Sequence, residues 1–285
     1  MKLIRPTTLT DAMLSSSTAP ENDYAAWGSG TAYTVGARVI LTATHRRYEA
    51  LAASTGVNPS SDPAKWLDIG PTNRWAMFDD RVGTATVQAG SVQVVLSPGA
   101  TDGVALIDTD AESATVSLTL SGTQLYSKTQ SFNAGGNAID SWFAWFFEPL
   151  GKKSSMLFLD IPVYETGVLT VNMTRDNPAD LVSCGTLLVG RQFDIGDTEH
   201  GVDLGIIDYS RKETDQFGVT SVVERAFAKR MTARVVMQTI RATPVLWIGS
   251  ESFESLTVFG FYKEFSIDLA YPTVSYCSLT IEGLT

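Results

Sequence analysis

Thr115-Val116-Ser117-Leu118-Thr119-Leu120 alternates polar and apolar side chains at every step. A strand turns successive side chains to opposite faces, so this stretch reads as a strand with one face buried and one wet. The same period recurs outward along the chain. It is carried by Leu169-Thr170-Val171-Asn172-Met173, by Phe265-Ser266-Ile267-Asp268-Leu269 and by Cys277-Ser278-Leu279-Thr280-Ile281. Turn signals fall between such runs at Ser97-Pro98-Gly99, Ser121-Gly122, Ala134-Gly135-Gly136 and Asn177-Pro178. One-faced strands joined by turns build antiparallel sandwiches, and residues 81–285 are expected to form a β-sandwich of jelly-roll type. Helix is expected only in minor pieces, such as Glu224 to Lys229. A division near 178–190 would leave a core sandwich and a smaller C-terminal β unit. Equally, strands of 190–285 would complete sheets begun in 80–175, and the pattern accommodates both.

Residues 1–25 read as an extended N-terminal arm, because Pro6, Pro20 and Ser15-Ser16-Ser17-Thr18 interrupt any period. Asp11-Ala12-Met13-Leu14 has room for one turn, capped by Thr10. Such an arm either frays or lies on a neighbouring subunit. From residue 26 to residue 70 the pattern is short strands and turns, punctuated by Gly28, Gly30, Gly36, Gly56 and Pro59. Val35, Val39 and Leu41 are expected on one side and Tyr48 on the other. A module this small has a thin core, to which Trp27, Tyr48 and Trp66 would contribute most. Residues 71–80 then link it to the β body.

Acidic residues number 31 and basic residues 21, for a net charge of −10. Clustered Lys and Arg are what a nucleic acid requires, and the longest basic runs here are Arg46-Arg47 and Lys152-Lys153, so nucleic acid is excluded as a partner. The opening residues lack the apolar run of a secretory leader, and the densest apolar stretch is Trp142 to Phe147. Membrane insertion is therefore not expected. Cys184 and Cys277 form no metal-like or redox spacing. They read as thiols in strands of a chain made in a reducing cytoplasm.

Within 26–70, Ala26-Trp27, Tyr33, Gly36, Val39, Tyr48-Glu49-Ala50, Gly56, Pro59 and Trp66 keep a recognisable order and spacing. The module resembles the small chitin-binding fold of carbohydrate-binding module families 5 and 12. The resemblance implies a three-stranded β domain and a sugar site built on an adjacent pair of exposed rings. In this chain those two positions are Ala52 and Ala53. A methyl group offers no stacking platform for a pyranose, which leaves only Trp27 and Tyr33 as glycan-binding candidates. The following Ile69-Gly70-Pro71-Thr72-Asn73-Arg74-Trp75-Ala76-Met77-Phe78-Asp79, and the opening Lys2-Leu3-Ile4-Arg5-Pro6-Thr7-Thr8-Leu9-Thr10, resemble stretches in uncharacterised tail-region proteins of tailed bacteriophages. Those share the order of arm, degenerate carbohydrate module, linker and β-rich body. The resemblance implies a virion tail or baseplate component, synthesised in a bacterial cytoplasm.

Sites of chemistry are scarce. His45 lies beside Arg46 and Arg47, two cations that oppose its protonation, and reads as a turn residue. Asp194, Asp197, Glu199, His200 and Asp203 gather oxygen and imidazole donors in one loop, but at no known ligand spacing, so they are weak metal candidates. Asp108-Thr109-Asp110-Ala111-Glu112 imitates the start of a calcium loop and lacks its glycine and its distal glutamate. It reads as a turn. No catalytic residue and no cofactor are assigned. Trp142-Phe143-Ala144-Trp145-Phe146-Phe147 is apolar on both faces, as a covered central strand or a subunit interface would be. Trp142, Phe143, Trp145 and Phe147 are the interface candidates. Tyr209 and Arg211, in the mixed-charge stretch Asp208 to Gly218, would form its polar rim.

These readings converge on a structural virion protein that acts by docking to other tail proteins and to copies of itself. The alternative is a host-attachment adhesin that binds surface glycan, and a tail-borne glycanase is a third class. Thirty-one acids make a chance pair of carboxylates inevitable, so the sequence carries no mark of the last.

Overall fold

A computed structural model describes residues 1–79, 81, 83–132, 154–194, 203–214, 220–223, 227–235, 245–249, 256–268 and 276–284. The chain opens with β1 (Lys2–Pro6) and β2 (Leu14–Ser17). The small module contributes β3 (Ala32–Tyr33), β4 (Arg38–Leu41), β5 (Arg46–Ala50), β6 (Ser54–Thr55) and β7 (Trp66–Pro71), followed by a 3-10 helix (Asn73–Phe78). Next come β8 (Thr86–Ala89), β9 (Ser91–Leu96), β10 (Gly103–Thr109), β11 (Ser113–Leu120), β12 (Thr123–Ser131), β13 (Met156–Phe158), β14 (Val168–Thr174) and β15 (Leu181–Asp194). The last part holds β16 (Asp203–Asp208), β17 (Arg211–Thr214), β18 (Thr220–Val223), β19 (Phe227–Val235), β20 (Val245–Ile248), β21 (Thr257–Asp268) and β22 (Tyr276–Gly283). The protein is mainly β, with antiparallel strand pairs. Among the described residues no helix is long and apolar enough to cross a membrane.

The alternation around Thr115 does what its period requires. β12, β11, β14, β9 and β2 pair in that order as a five-stranded sheet. Its inward residues Ala114, Val116, Leu118, Val92, Val94, Leu96, Leu169, Val171 and Met173 are all buried. They face Val104, Leu106, Leu187 and Val189 of a second, larger sheet, so the main core lies between two sheets. Burial of one such side chain contributes about 1.5–3 kcal/mol before ordering costs, and the interior depends on many of them.

The larger sheet runs β13-β10-β15-β1-β20-β21-β22-β19-β16, with β8 added on β15. One expectation is corrected here, and one open alternative is decided. The segment expected to be a free arm supplies an interior strand: β1 pairs with β15 through Lys2↔Asp194 to Pro6↔Gly190, and with β20 through Lys2↔Ile248 to Ile4↔Leu246. Leu3 and Ile4 are buried, on opposite faces of the sheet. The interval 178–190 holds no boundary, because β15 crosses it as one strand and joins β8, β10 and β1. Strands from the last third of the chain therefore extend a sheet begun in the first two thirds. The helical piece expected at Glu224 to Lys229 is strand from Phe227 onward. The turn at Asp11 is present, closed by Met13 N–H and Leu14 N–H donating to Thr10 O.

Gly190 makes the junction of β1, β15 and β10 sterically feasible. It is in register with Pro6 on one side and Gly103 on the other. A Cβ there would sit 2.0 Å from Arg5 O, and one on Gly103 would press on Ile4 at 3.0 Å. Nearer the start of β15 the pairing with β10 is interrupted at Asp108, whose φ is +54°, and Gly185, while the register is the same on either side. The irregularity exchanges the buried face: Val182 and Cys184 join the main core before it, Leu187 and Val189 after it.

Candidate functional site

The small module is a three-stranded sheet, β4-β5-β7, with the two-residue pair β3-β6 beside it. Val39, Leu41, Tyr48, Ala50 and Trp66 form its buried core. Two residues depart from expectation: Val35 stands in the turn before Gly36 and is 68% exposed, and Tyr48, directly opposite Val39, shares its buried face and does not lie on the other side. Trp27 and Tyr33 pack against the core from its edge. Tyr33 meets Trp66 edge-on, with centroids 5.3 Å apart, and its hydroxyl accepts the Gly28 N–H at 2.8 Å. Both rings thus wall the module. Ala52 is half-buried and Ala53 exposed, and neither supplies a stacking platform.

The base of the module is polar and closely tied to the rest of the chain. His45 sits at the tip of the β4–β5 hairpin with φ +53°. Its ring stacks on Trp75 of the linker helix at 4.3 Å. Nδ1 lies 2.7 Å from Glu21 Oε1, and Nε2 lies 2.5 Å from Asp11 Oδ1. A single neutral tautomer donates at only one of these two positions. Glu21 also accepts the Thr72 hydroxyl at 3.0 Å and lies 3.7 Å from Arg74. Asp23 receives the Asn73 N–H at 3.0 Å and faces Arg47 at 3.6 Å. Arg46 pairs with Asp68. The cations expected to act on His45 are therefore each engaged with another carboxylate, while His45 itself faces two carboxylates from the N-terminal segment. Leu9, Asp11, His45, Trp75, Phe78 and Asp79 line a hollow of about 300 Å³ at this seam.

The remaining candidates are distributed widely. Asp110 and Glu112 serve the backbone, accepting from Ser183 N–H and Asp176 N–H at 2.6 Å each. Thr109 Oγ1 donates to Ser183 O at 2.7 Å. This is the turn read from the sequence. Tyr209 is exposed between β16 and β17, Arg211 is exposed at the start of β17, and Asp203 is exposed at the start of β16. Trp142, Phe143, Trp145, Phe147, Asp197, Glu199 and His200 lie outside the described residues. Among the described residues no three His, Cys, Asp or Glu side chains gather as a metal site. Cys184 is a free, fully buried thiol, pushed up to about 12 first by burial and then by the Asp108 and Asp110 carboxylates. The thiol is thus held protonated, opposite to what a nucleophile needs.

A second hollow, of about 290 Å³, is lined by Ile107, Asp108, Thr186, Thr257, Phe259 and Leu284 on the larger sheet. The Glu21–His45 seam escaped sequence reading because its members are separated along the chain. The acidic run Glu21-Asn22-Asp23 beside a hairpin rich in cations was the available signal.

No family model, no curated protein and no solved structure matches the chain.

Proposed function

We propose that this protein is a structural component of a bacteriophage tail or baseplate that acts through docking and assembly and performs no catalysis. One observation carries the reading: the rings that would stack on sugar are built into the module's own wall, while the module's base is bonded to the N-terminal segment and linker. Tyr33 on Trp66, and Glu21 on His45 and Thr72, are the contacts concerned. A module fixed at its base is suited to act as a spacer or docking knob between neighbours. The kinship of residues 26–70 with carbohydrate-binding modules, and the jelly-roll character of the body, belong to this proposal. The first rests on the resemblance described above and the second on the alternating strands of residues 81–285. Partners are other tail proteins and further copies of the chain. Mass spectrometry of purified particles tests it: the protein should be present at a fixed stoichiometry. Its absence from purified particles would overturn the reading.

A further inference from the structure

β15 is the longest strand of the larger sheet, and its two ends carry opposite charge. At the C-terminal end Arg191 stands in direct register with Arg5 of β1. Directly opposed residues lie on one face about 4.5–5.5 Å apart, where like charges repel. Asp102 answers one of them, 3.4 Å from Arg191, and Asp194 stands opposite Lys2, so three cations against two carboxylates leave this end a net +1. Arg5 is exposed and has no carboxylate partner among the described residues. Phe193, on the same face as Arg191, is 46% exposed. The N-terminal end is acidic. Asp110 and Asp180 lie 3.2 and 3.8 Å from Arg175, and Glu112 accepts the Asp176 N–H. Two carboxylates therefore share the Arg175 guanidinium, and with Glu112 and Asp176 this end holds four acidic residues against one arginine, a local net charge of −3. Beside them Leu181 is 58% exposed.

Asp180 and Arg191 are separated by roughly 36 Å of extended strand. The Debye length in physiological salt is about 8 Å, so the two ends cannot neutralise each other within one chain. A second copy brings them together. We propose that the Arg5–Arg191 patch docks on the acidic end of β15 in another copy of the chain. Phe193 and Leu181 supply apolar contact at the two ends, and the charges set register and encounter rate. Such a contact closes as a two-fold dimer when both pairs of patches meet at once, and otherwise runs head to tail into a ring or filament. The inference deepens the assembly reading and rests on it for its place in a particle, while the contact itself is tested on purified protein.

The test is sedimentation-velocity analysis of the full chain at low and high salt, alongside the variants Arg5→Glu and Asp176→Lys. Arg5→Glu stays compatible with the fold, because a glutamate opposite Arg191 turns a repelling pair into an attracting one. Asp176 is exposed and contributes only its backbone to the hydrogen bonds described above. The wild type should self-associate at low salt and dissociate as salt rises, and each variant should weaken association by about tenfold or more, as loss of a close charge pair does. Circular dichroism should show both variants folded. A wild type that stays monomeric at low salt overturns the contact, as does association unchanged in folded Arg5→Glu. Neither result bears on whether the protein is found in particles, so the two readings fail separately.

Discussion

Ile4 stands in antiparallel register with Leu246, so the first strand of the chain is held by one formed near its end. Ile4 is fully buried, and the same strand is bonded on its other edge to β15. Ile4→Ala should therefore lower stability by about 2–5 kcal/mol, the range for truncating a buried aliphatic side chain. Removal of residues 1–25 should yield unfolded or aggregated protein, because it takes an interior strand out of the sheet. Urea titration followed by circular dichroism measures both, and a cooperative, wild-type-like transition in the truncated chain would contradict the placement of β1.

Gly190→Ala tests the same junction from the opposite side. The added methyl would lie 2.0 Å from Arg5 O, a backbone atom with little freedom to move. A loss of about 1–3 kcal/mol or more is expected in the same titration. An unchanged midpoint would mean that β1 and β15 do not approach as described.

Glu21 ties three parts of the chain together, with His45 at 2.7 Å, the Thr72 hydroxyl at 3.0 Å and Arg74 at 3.7 Å. Glu21→Ala should cost about 2 kcal/mol, as hydrogen bonds to a charged acceptor do. Hydrogen exchange should rise around residues 42–47 and 72–78 and stay constant in β11 and β14. Uniform protection across the seam would show that Glu21 is not what joins module and linker.

Cys184 defines an alkaline limit. Its native value, raised to about 12 by burial and then by Asp108 and Asp110, exceeds that of an unfolded thiol, about 8.5. The native state keeps the proton while the unfolded state releases it, so stability falls as pH rises from about 8.5 toward 12. Thermal unfolding across this range should decline more steeply for wild type than for Cys184→Ala. Parallel slopes would refute the assignment. Peptide mapping after iodoacetamide treatment at pH 8 should find Cys184 unmodified in native protein and alkylated in denaturant.

Sugar binding through Trp27 and Tyr33 makes the opposite demand on the same rings. Because Tyr33 packs on Trp66, the protein is expected to wash off chitin, and Tyr33→Ala should act chiefly on stability. Retention on chitin that disappears in a folded Tyr33→Ala variant would favour the adhesin reading instead.

Much of the β body was legible because its signal is local. Val116, Leu118, Leu169, Val171 and Met173 announce their buried face by period two, and nothing distant is needed to read it. The small module's core was legible in part from its few large side chains, since Tyr48 and Trp66 are both buried in it and Trp27 packs against it. The seam was not, since His45 gains its meaning only from Asp11 and Glu21, which arrive from another segment. Arg46 and Arg47 looked decisive beside it, yet Asp68 and Asp23 hold them.

By itself, then, the sequence determined that the chain is mainly β, which side chains of its regular strands turn inward, and that positions 52 and 53 carry methyl groups, which offer no stacking platform. Tertiary structure alone decided where Lys2–Pro6 belongs. A five-residue strand containing Lys2, Arg5 and Pro6 is too short and too polar to show a period. Its position is set by backbone pairing to β15 and β20, and such pairing depends on register between segments far apart in the chain.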